Sequence, residues 1–233
     1  MKVCEICNGT NMERYKKDEK EYFRPCSCQH EISKTKYIPK QYQVEWNPAG
    51  YKRDWIKIGN EFLKDKDART LLIWGKTRIG KTFFAYWAMS EFAKVNRYRF
   101  GLTNCIRATK LQQIFHLITY GGIEKTDYCM QYEKLVDSSF LIIDDFWNTP
   151  KVKTENFIGE FEEFWDSLRA DKIIITINDN PDITKDDYGN VITGSLEENY
   201  PTTHDRFAET GSIYKAIWYQ MIKEMTGPDR RLK

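Results

Sequence analysis

No stretch of this sequence stays apolar for the roughly 18 to 20 residues that a bilayer-spanning helix needs. Its start, MKVCEICNGT, has no apolar centre of the kind a signal peptide carries. These two absences argue against a membrane span and a secretory leader, so the expected compartment is the cytoplasm. A charge excess is missing too: 36 Lys and Arg against 34 Asp and Glu leave a net charge of +2. Any grip on nucleic acid therefore has to come from a local basic patch and not from overall charge. There is no internal repeat and no low-complexity tract, which excludes a solenoid or a biased linker.

What is present suits one ordinary globular domain with a small appendage. The hydrophobic fraction of 41% is enough to bury a core, and 30% charged residues keep the surface soluble. Aromatics reach 15% but are spread along the chain, a pattern of core and interface more than of a nucleic-acid stripe. Of six cysteines, four lie within the first 28 residues. In a cytoplasmic chain such clustering reads as a metal site before it reads as disulfides. Cys105 and Cys129 stand apart and read as buried or idle thiols.

Residues 1–36 are polar and too few to build a core unaided. Residues 37–69 form a linker punctuated by Pro39 and Pro48, in which Trp55, Ile58, Phe62 and Leu63 recur at helical spacing. This amphipathic helix is expected to pack on the main domain, residues 70–233. There the pattern alternates. Buried strands are expected at residues 71–74, 140–143 and 173–177, with a weaker one at 99–103 and a last one at 212–219. Helices are expected at residues 82–95, 109–119, 155–168 and, as a short one, 204–209, with a long loop over 179–203. Strands alternating with helices imply a parallel sheet covered on both faces.

The segment Gly75, Lys76, Thr77, Arg78, Ile79, Gly80, Lys81, Thr82 fits GxxxxGK[ST] in full, with a strand before it and a helix after it. Its glycines let backbone N–H groups curl around phosphate oxygens, and the helix N-terminus adds partial positive charge. Lys81 would reach the β and γ phosphates and the Thr82 hydroxyl would ligate Mg²⁺. Arg78 stands where small residues are commoner and is expected to point to solvent.

Further along, Phe140-Leu-Ile-Ile-Asp144-Asp145 places two carboxylates at the exit of a buried strand, which is costly unless they meet a cation or another partner. Asp144 would hold Mg²⁺ through water, and Asp145 would act as general base on the attacking water. Ile173 to Asn178 ends another strand in polar residues: Asn178 is placed to position that water, with Thr176 the alternative and a plain turn the bland reading. Arg206 follows the loop and reads either as a surface ion-pair partner or as a group acting on a neighbour's ATP.

Cys4-x-x-Cys7 and Cys26-x-Cys28 supply four thiolates, the donor set of tetrahedral zinc, with His30 a possible replacement for one of them. Such a site would fold a segment otherwise too small to be stable. Asn8-Gly9-Thr10 after the first pair suits the turn of a zinc knuckle.

Taken together, these motifs resemble the DnaC/IstB-like AAA+ proteins, which include bacterial and phage helicase loaders and transposition helper ATPases. The resemblance rests on the CxxCxGT start with its later CxC, on Tyr37-Ile-Pro-Lys-Gln-Tyr42, on residues 135–146 around the acidic pair, and on Asp205-Arg206-Phe207 with Gly211. It implies a parallel five-stranded AAA+ P-loop core without a full C-terminal lid, preceded by a small zinc-binding arm. It implies ATP, Mg²⁺ and Zn²⁺ as cofactors, and Arg206 as an arginine finger across a homo-oligomer interface in the ATP-bound state. It further implies an arm docked on a replicative helicase of the DnaB type and ATPase domains gripping single-stranded DNA. Arg97, Arg99, Arg107 and Lys110 are the basic candidates for that grip. The alternative is an IstB-like transposition helper acting on a transposase and target DNA, although the zinc arm favours a loader. A third class, a degenerate nucleotide-binding adaptor, is disfavoured by the intact set Lys81, Thr82, Asp144 and Asp145.

Overall fold

The computed structural model describes residues 4–8, 10, 12–26, 28, 38–42, 53–75, 77–96, 103–121, 125–147, 153–178, 184–185, 191–192, 196–201, 203 and 205. Between the two cysteine pairs the chain folds into a hairpin of β1 (Met12–Lys17) and antiparallel β2 (Lys20–Pro25). The reversal is made by Asp18 and Glu19, both at positive φ (49° and 61°), the backbone pattern of a type I′ turn whose twist matches the strands. Cross-strand pairs hold it: Tyr15 stacks on Tyr22 with ring centroids 5.6 Å apart, and Arg24 pairs with Glu13.

The main sheet has four parallel strands among the described residues. They are β3 (Thr70–Trp74), β4 (Thr103–Arg107), β5 (Phe140–Phe146) and β6 (Lys172–Ile177), in the order β3-β6-β5-β4. The near-continuous Ile and Leu runs of β5 and β6 follow from burial on both faces. Because side chains alternate, Leu71, Ile73, Ile142 and Ile174 form one core while Leu72, Leu141, Ile143, Ile173, Ile175 and Ile177 form the other. Helices α1 (Arg53–Lys64) and α2 (Lys81–Val95) cover the first face. Helices α3 (Ala108–Tyr120), α4 (Lys125–Val136) and α5 (Glu155–Ser167) cover the second.

Both cores are rich in aromatic residues, and the second holds a continuous aromatic cluster. Phe115, Phe146, Phe157, Phe161, Phe164 and Trp165 pack there, with Phe146 and Phe161 centroids 4.7 Å apart. Each such burial stabilises the fold by about 1.5–3 kcal/mol. α5 starts on Thr154, whose hydroxyl accepts the Phe157 N–H at 3.3 Å, an N-cap. The linker helix packs as its spacing required: Trp55 and Phe62 are buried against α2.

Several expectations shift. The weak strand is described at Thr103–Arg107, beyond the expected end at 103; residues 97–102, and with them most of the expected 99–103, are outside the described set. It is polar because Asn104 turns to the Ser138 hydroxyl (2.8 Å) and the Lys134 carbonyl (3.2 Å). α4 was not expected; it carries one buried side chain, Leu135, so its apolar stripe is faint. The segment read as a long loop contains a two-stranded ribbon, β7 (Thr184–Lys185) with β8 (Val191–Ile192), and a short helix, α6 (Leu196–Asn199). The fifth strand, at 212–219, falls outside the described residues, as does most of the helix at 204–209. Among the described residues no helix is long and apolar enough to cross a membrane.

Candidate functional site

The strand order sets the site. β6 lies between β3, which leads into the GxxxxGK[ST] segment, and β5, which carries the two aspartates. Trp74 is in register with Ile177, so Asn178 emerges beside Gly75. The carboxyl ends of three strands thus converge, the position where open α/β sheets bind ligands.

In the loop, Gly75 and Gly80 sit at φ 142° and 106°, conformations that side chains rarely adopt, which is why both are glycine. Arg78 also has positive φ (66°) and its side chain is exposed, as expected. α2 begins on Gly80 without any side-chain cap, so its first-turn amides keep their capacity for an anion. Ile79 is buried in the core and anchors the loop. Thr77 is exposed, and Lys76 is outside the described residues.

Lys81 is buried and its ammonium donates to the Gly75 carbonyl at 2.6 Å and to Asn178 Oδ1 at 2.8 Å. A cation held at the mouth of a backbone loop suits phosphate oxygens. The Thr82 hydroxyl donates to Asp144 Oδ1 at 2.8 Å. Neighbouring oxygens in an octahedral Mg²⁺ shell, at 2.0–2.1 Å from the ion, are separated by about 3 Å. Thr82 and Asp144 therefore fit one magnesium, with the carboxylate near enough to ligate it directly and not only through the water expected from the sequence. Burial raises the Asp144 carboxyl above the usual range, and Asp145 nearby adds to this; the hydroxyls of Thr176 and Thr82 and the charge of Arg107 act the other way. Arg107 is in register with Asp144 on the neighbouring strand. Behind them, burial also raises the Tyr86 phenol and pushes the Cys105 thiol up to about 12; the two are hydrogen-bonded.

Asp145 is not a simple continuation of β5. The pairing of β5 with β6 shifts between Ile143 and Phe146, and Asp145 has φ 57°. Phe146 consequently faces the same core as Leu141 and Ile143, which strict alternation would forbid. A bulge has inserted one residue and re-aimed the chain. For a non-glycine residue that conformation costs on the order of 1–2 kcal/mol. Sequence reading missed this bulge. It also underplayed Thr176, whose hydroxyl donates to Asp144 Oδ1 at 2.7 Å and accepts the Asp145 N–H at 3.0 Å. Arg206 falls outside the described residues, as do His30, Arg97 and Arg99; Lys110 lies on α3 over the Tyr128 ring.

In the arm, Cys4, Cys7, Cys26 and Cys28 come together with all sulfurs within 4.8 Å of one another. Cys4 and Cys26 are 3.7 Å apart, Cys7 and Cys28 3.6 Å. Tetrahedral zinc with Zn–S bonds of 2.3 Å spaces its sulfurs by roughly 3.8 Å, so the set fits zinc. Backbone N–H groups of Cys7 and Ile6 lower the Cys4 thiol to about 7, toward the thiolate that a metal requires. Asn8 at φ 48° closes the knuckle, its N–H donating to the Cys4 carbonyl at 2.7 Å. The Thr10 hydroxyl donates to the Cys7 carbonyl at 2.6 Å.

No protein-family model matches the chain, and no curated protein matches it either. Solved structures do. DnaI is 15% identical, with 84% of this chain and 95% of that one covered and a TM-score of 0.52. The DnaC helicase loader is 15% identical over 82% and 100% of the two chains, with a TM-score of 0.45. AMPPCP-bound DnaA from Aquifex aeolicus is 19% identical over 62% and 44%, with a TM-score of 0.46, so the chain spans less than half of that protein. With the GxxxxGK[ST] loop, the interposed strand and the acidic strand end in place, the likeness to DnaI shows the fold: this chain has the parallel-sheet α/β fold of that structure.

Proposed function

We propose that this protein is an ATP-hydrolysing helicase loader that docks on a replicative helicase of the DnaB type and helps place it on single-stranded DNA. The observation that carries the ATPase part is the convergence of Lys81, Thr82, Asp144 and Asn178 at the carboxyl ends of β3, β5 and β6. Residues 75–82 would cradle the phosphates, and Thr82 with Asp144 would hold Mg²⁺, which supplies charge neutralisation at the γ-phosphate. Asp145 would take the proton of the attacking water, Asn178 would orient that water, and Arg206 would reach a neighbouring subunit's nucleotide. Asn178 already contacts Lys81, so the same ammonium can be shared between the sensor amide and a phosphate.

The loader part rests on the four-thiolate arm joined to a DnaI-like core. We divide the chain accordingly into a zinc arm (1–36), a linker with its helix (37–69) and an ATPase domain (70–233), acting in the cytoplasm of a bacterium or a phage-infected host. Mixing the protein with the cognate DnaB-type helicase on a sizing column, with and without ATP, tests this. Co-elution is expected. Absence of a complex in both conditions would overturn the loader reading and turn attention to a transposase as partner.

A further inference from the structure

We infer that Thr176 is a positioning residue that latches the bulge of β5 and so sets both aspartates. This rests on the ATPase reading above and extends it to a residue outside the phosphate loop and the acidic pair.

Every other position of β6 from Ile173 to Ile177 is isoleucine, and all are buried. A position that only filled space there would suit the same residue type. Thr176 is fully buried and puts a hydroxyl where its neighbours put methyl groups. That hydroxyl has one hydrogen to give, and it gives it to Asp144 Oδ1 at 2.7 Å. It accepts from the Asp145 N–H at 3.0 Å. The second bond matters because the register shift between Ile143 and Phe146 takes the backbone at Asp145 out of regular pairing. A half-buried N–H out of ladder pairing favours a partner, and Thr176 supplies one. One side chain therefore holds the carboxylate of Asp144 and the left-handed backbone of Asp145, φ 57°, in a fixed relation.

Thr82 donates to the same Asp144 oxygen from the opposite element, at 2.8 Å. Asp144 is thus aimed from two sides. When Thr82 turns to a metal ion, Thr176 is the remaining hydroxyl that keeps Asp144 in place. Thr176 itself touches neither substrate nor metal in this role.

The test uses the full-length protein with Thr176→Val, which keeps the branched shape and removes the hydroxyl, and Thr176→Ser, which keeps the hydroxyl. For T176V, kcat is expected to fall about 10- to 100-fold, the scale of a lost hydrogen bond to a charged group. The Mg²⁺ concentration for half-maximal rate should rise, while nucleotide affinity measured in EDTA stays unchanged. T176S should retain the wild-type kcat and Mg²⁺ requirement. Independently of any hydrolysis, the Asp145 amide should exchange with deuterium faster in T176V than in wild type or T176S. Wild-type kcat, Mg²⁺ requirement and amide protection in T176V would overturn the latch. So would equal defects in the two variants, which would make the effect one of bulk. If T176V does not fold, Thr176→Ala, also lacking the hydroxyl, takes its place. A wild-type protein that does not hydrolyse ATP would remove the ATPase reading, and the amide exchange would still decide the latch.

Discussion

Replacing Asp144 by asparagine should stabilise the nucleotide-free protein while abolishing its Mg²⁺-dependent hydrolysis. Asp144 is only 5% exposed, and burial is the main cause of its raised carboxyl. An acid with a raised folded pKa binds its proton more tightly in the native state. Its contribution to stability is fully present below the unfolded value of 3.8 and is lost as pH rises through the folded value. Once ionised, the carboxylate is therefore a liability to the empty fold. Asparagine removes the charge yet keeps an oxygen to accept from Thr82 and Thr176, at 2.8 and 2.7 Å in the native site. Relief of an imperfectly compensated buried charge is worth about 1–2 kcal/mol here, since two hydroxyls already offset part of the cost. In a chain of this size that is a rise of roughly 2–8 °C in Tm. The assay is thermal unfolding of wild type and D144N from pH 4 to pH 8. The difference between them should widen as pH rises. Added Mg²⁺ should raise the Tm of the wild type and leave D144N unmoved. A D144N protein that melts below wild type at neutral pH would refute the reasoning, because it would mean that the carboxylate is a net stabiliser without a metal.

Lys81→Ala should weaken ATP binding by at least about 10-fold, the scale of one charge-assisted contact, and stop turnover. Titration with a fluorescent ATP analogue and a phosphate-release assay check this, and unchanged affinity would sink the loop assignment. In the arm, metal analysis should find about one zinc per chain, as four-thiolate ligation requires. Cys26→Ser should lose it, since Cys26 is fully buried within the cluster. A metal-free protein with all four thiols reduced would remove the zinc site.

Much of the candidate site was legible because its parts are local. The phosphate loop is eight consecutive residues whose glycines have no other use, and the acidic pair closes an apolar run. The cysteine spacing likewise named its own chemistry, and the sulfurs do converge. What stayed hidden depended on partners distant in sequence. The stretch of β4 beyond residue 103 went unread because its polar Asn104 is satisfied by Ser138, 34 residues away. α4 showed little periodicity because it buries little. The hairpin of the arm stayed hidden because neither MERYKK nor KEYFRP alternates apolar with polar residues, and its turn at Asp18-Glu19 lacks the glycine that usually marks one.

By itself the sequence determined which residues we propose for a phosphate, a divalent cation and a tetrahedral metal, since those proposals depend on residue type at short spacing. Tertiary structure alone decided how the sixty-odd residues between Thr82 and Asp144 bring those two side chains to 2.8 Å. It also decided that Lys81 meets Asn178 across 97 residues, and that a threonine read as the alternative to Asn178 for positioning water bonds to both aspartates. The reason is physical: a bulge is a failure of register between strands, and register exists only once the sheet has formed. The loop from Gly75 to Thr82 could be named from its letters, but the geometry that would make it catalytic belongs to β5 and β6.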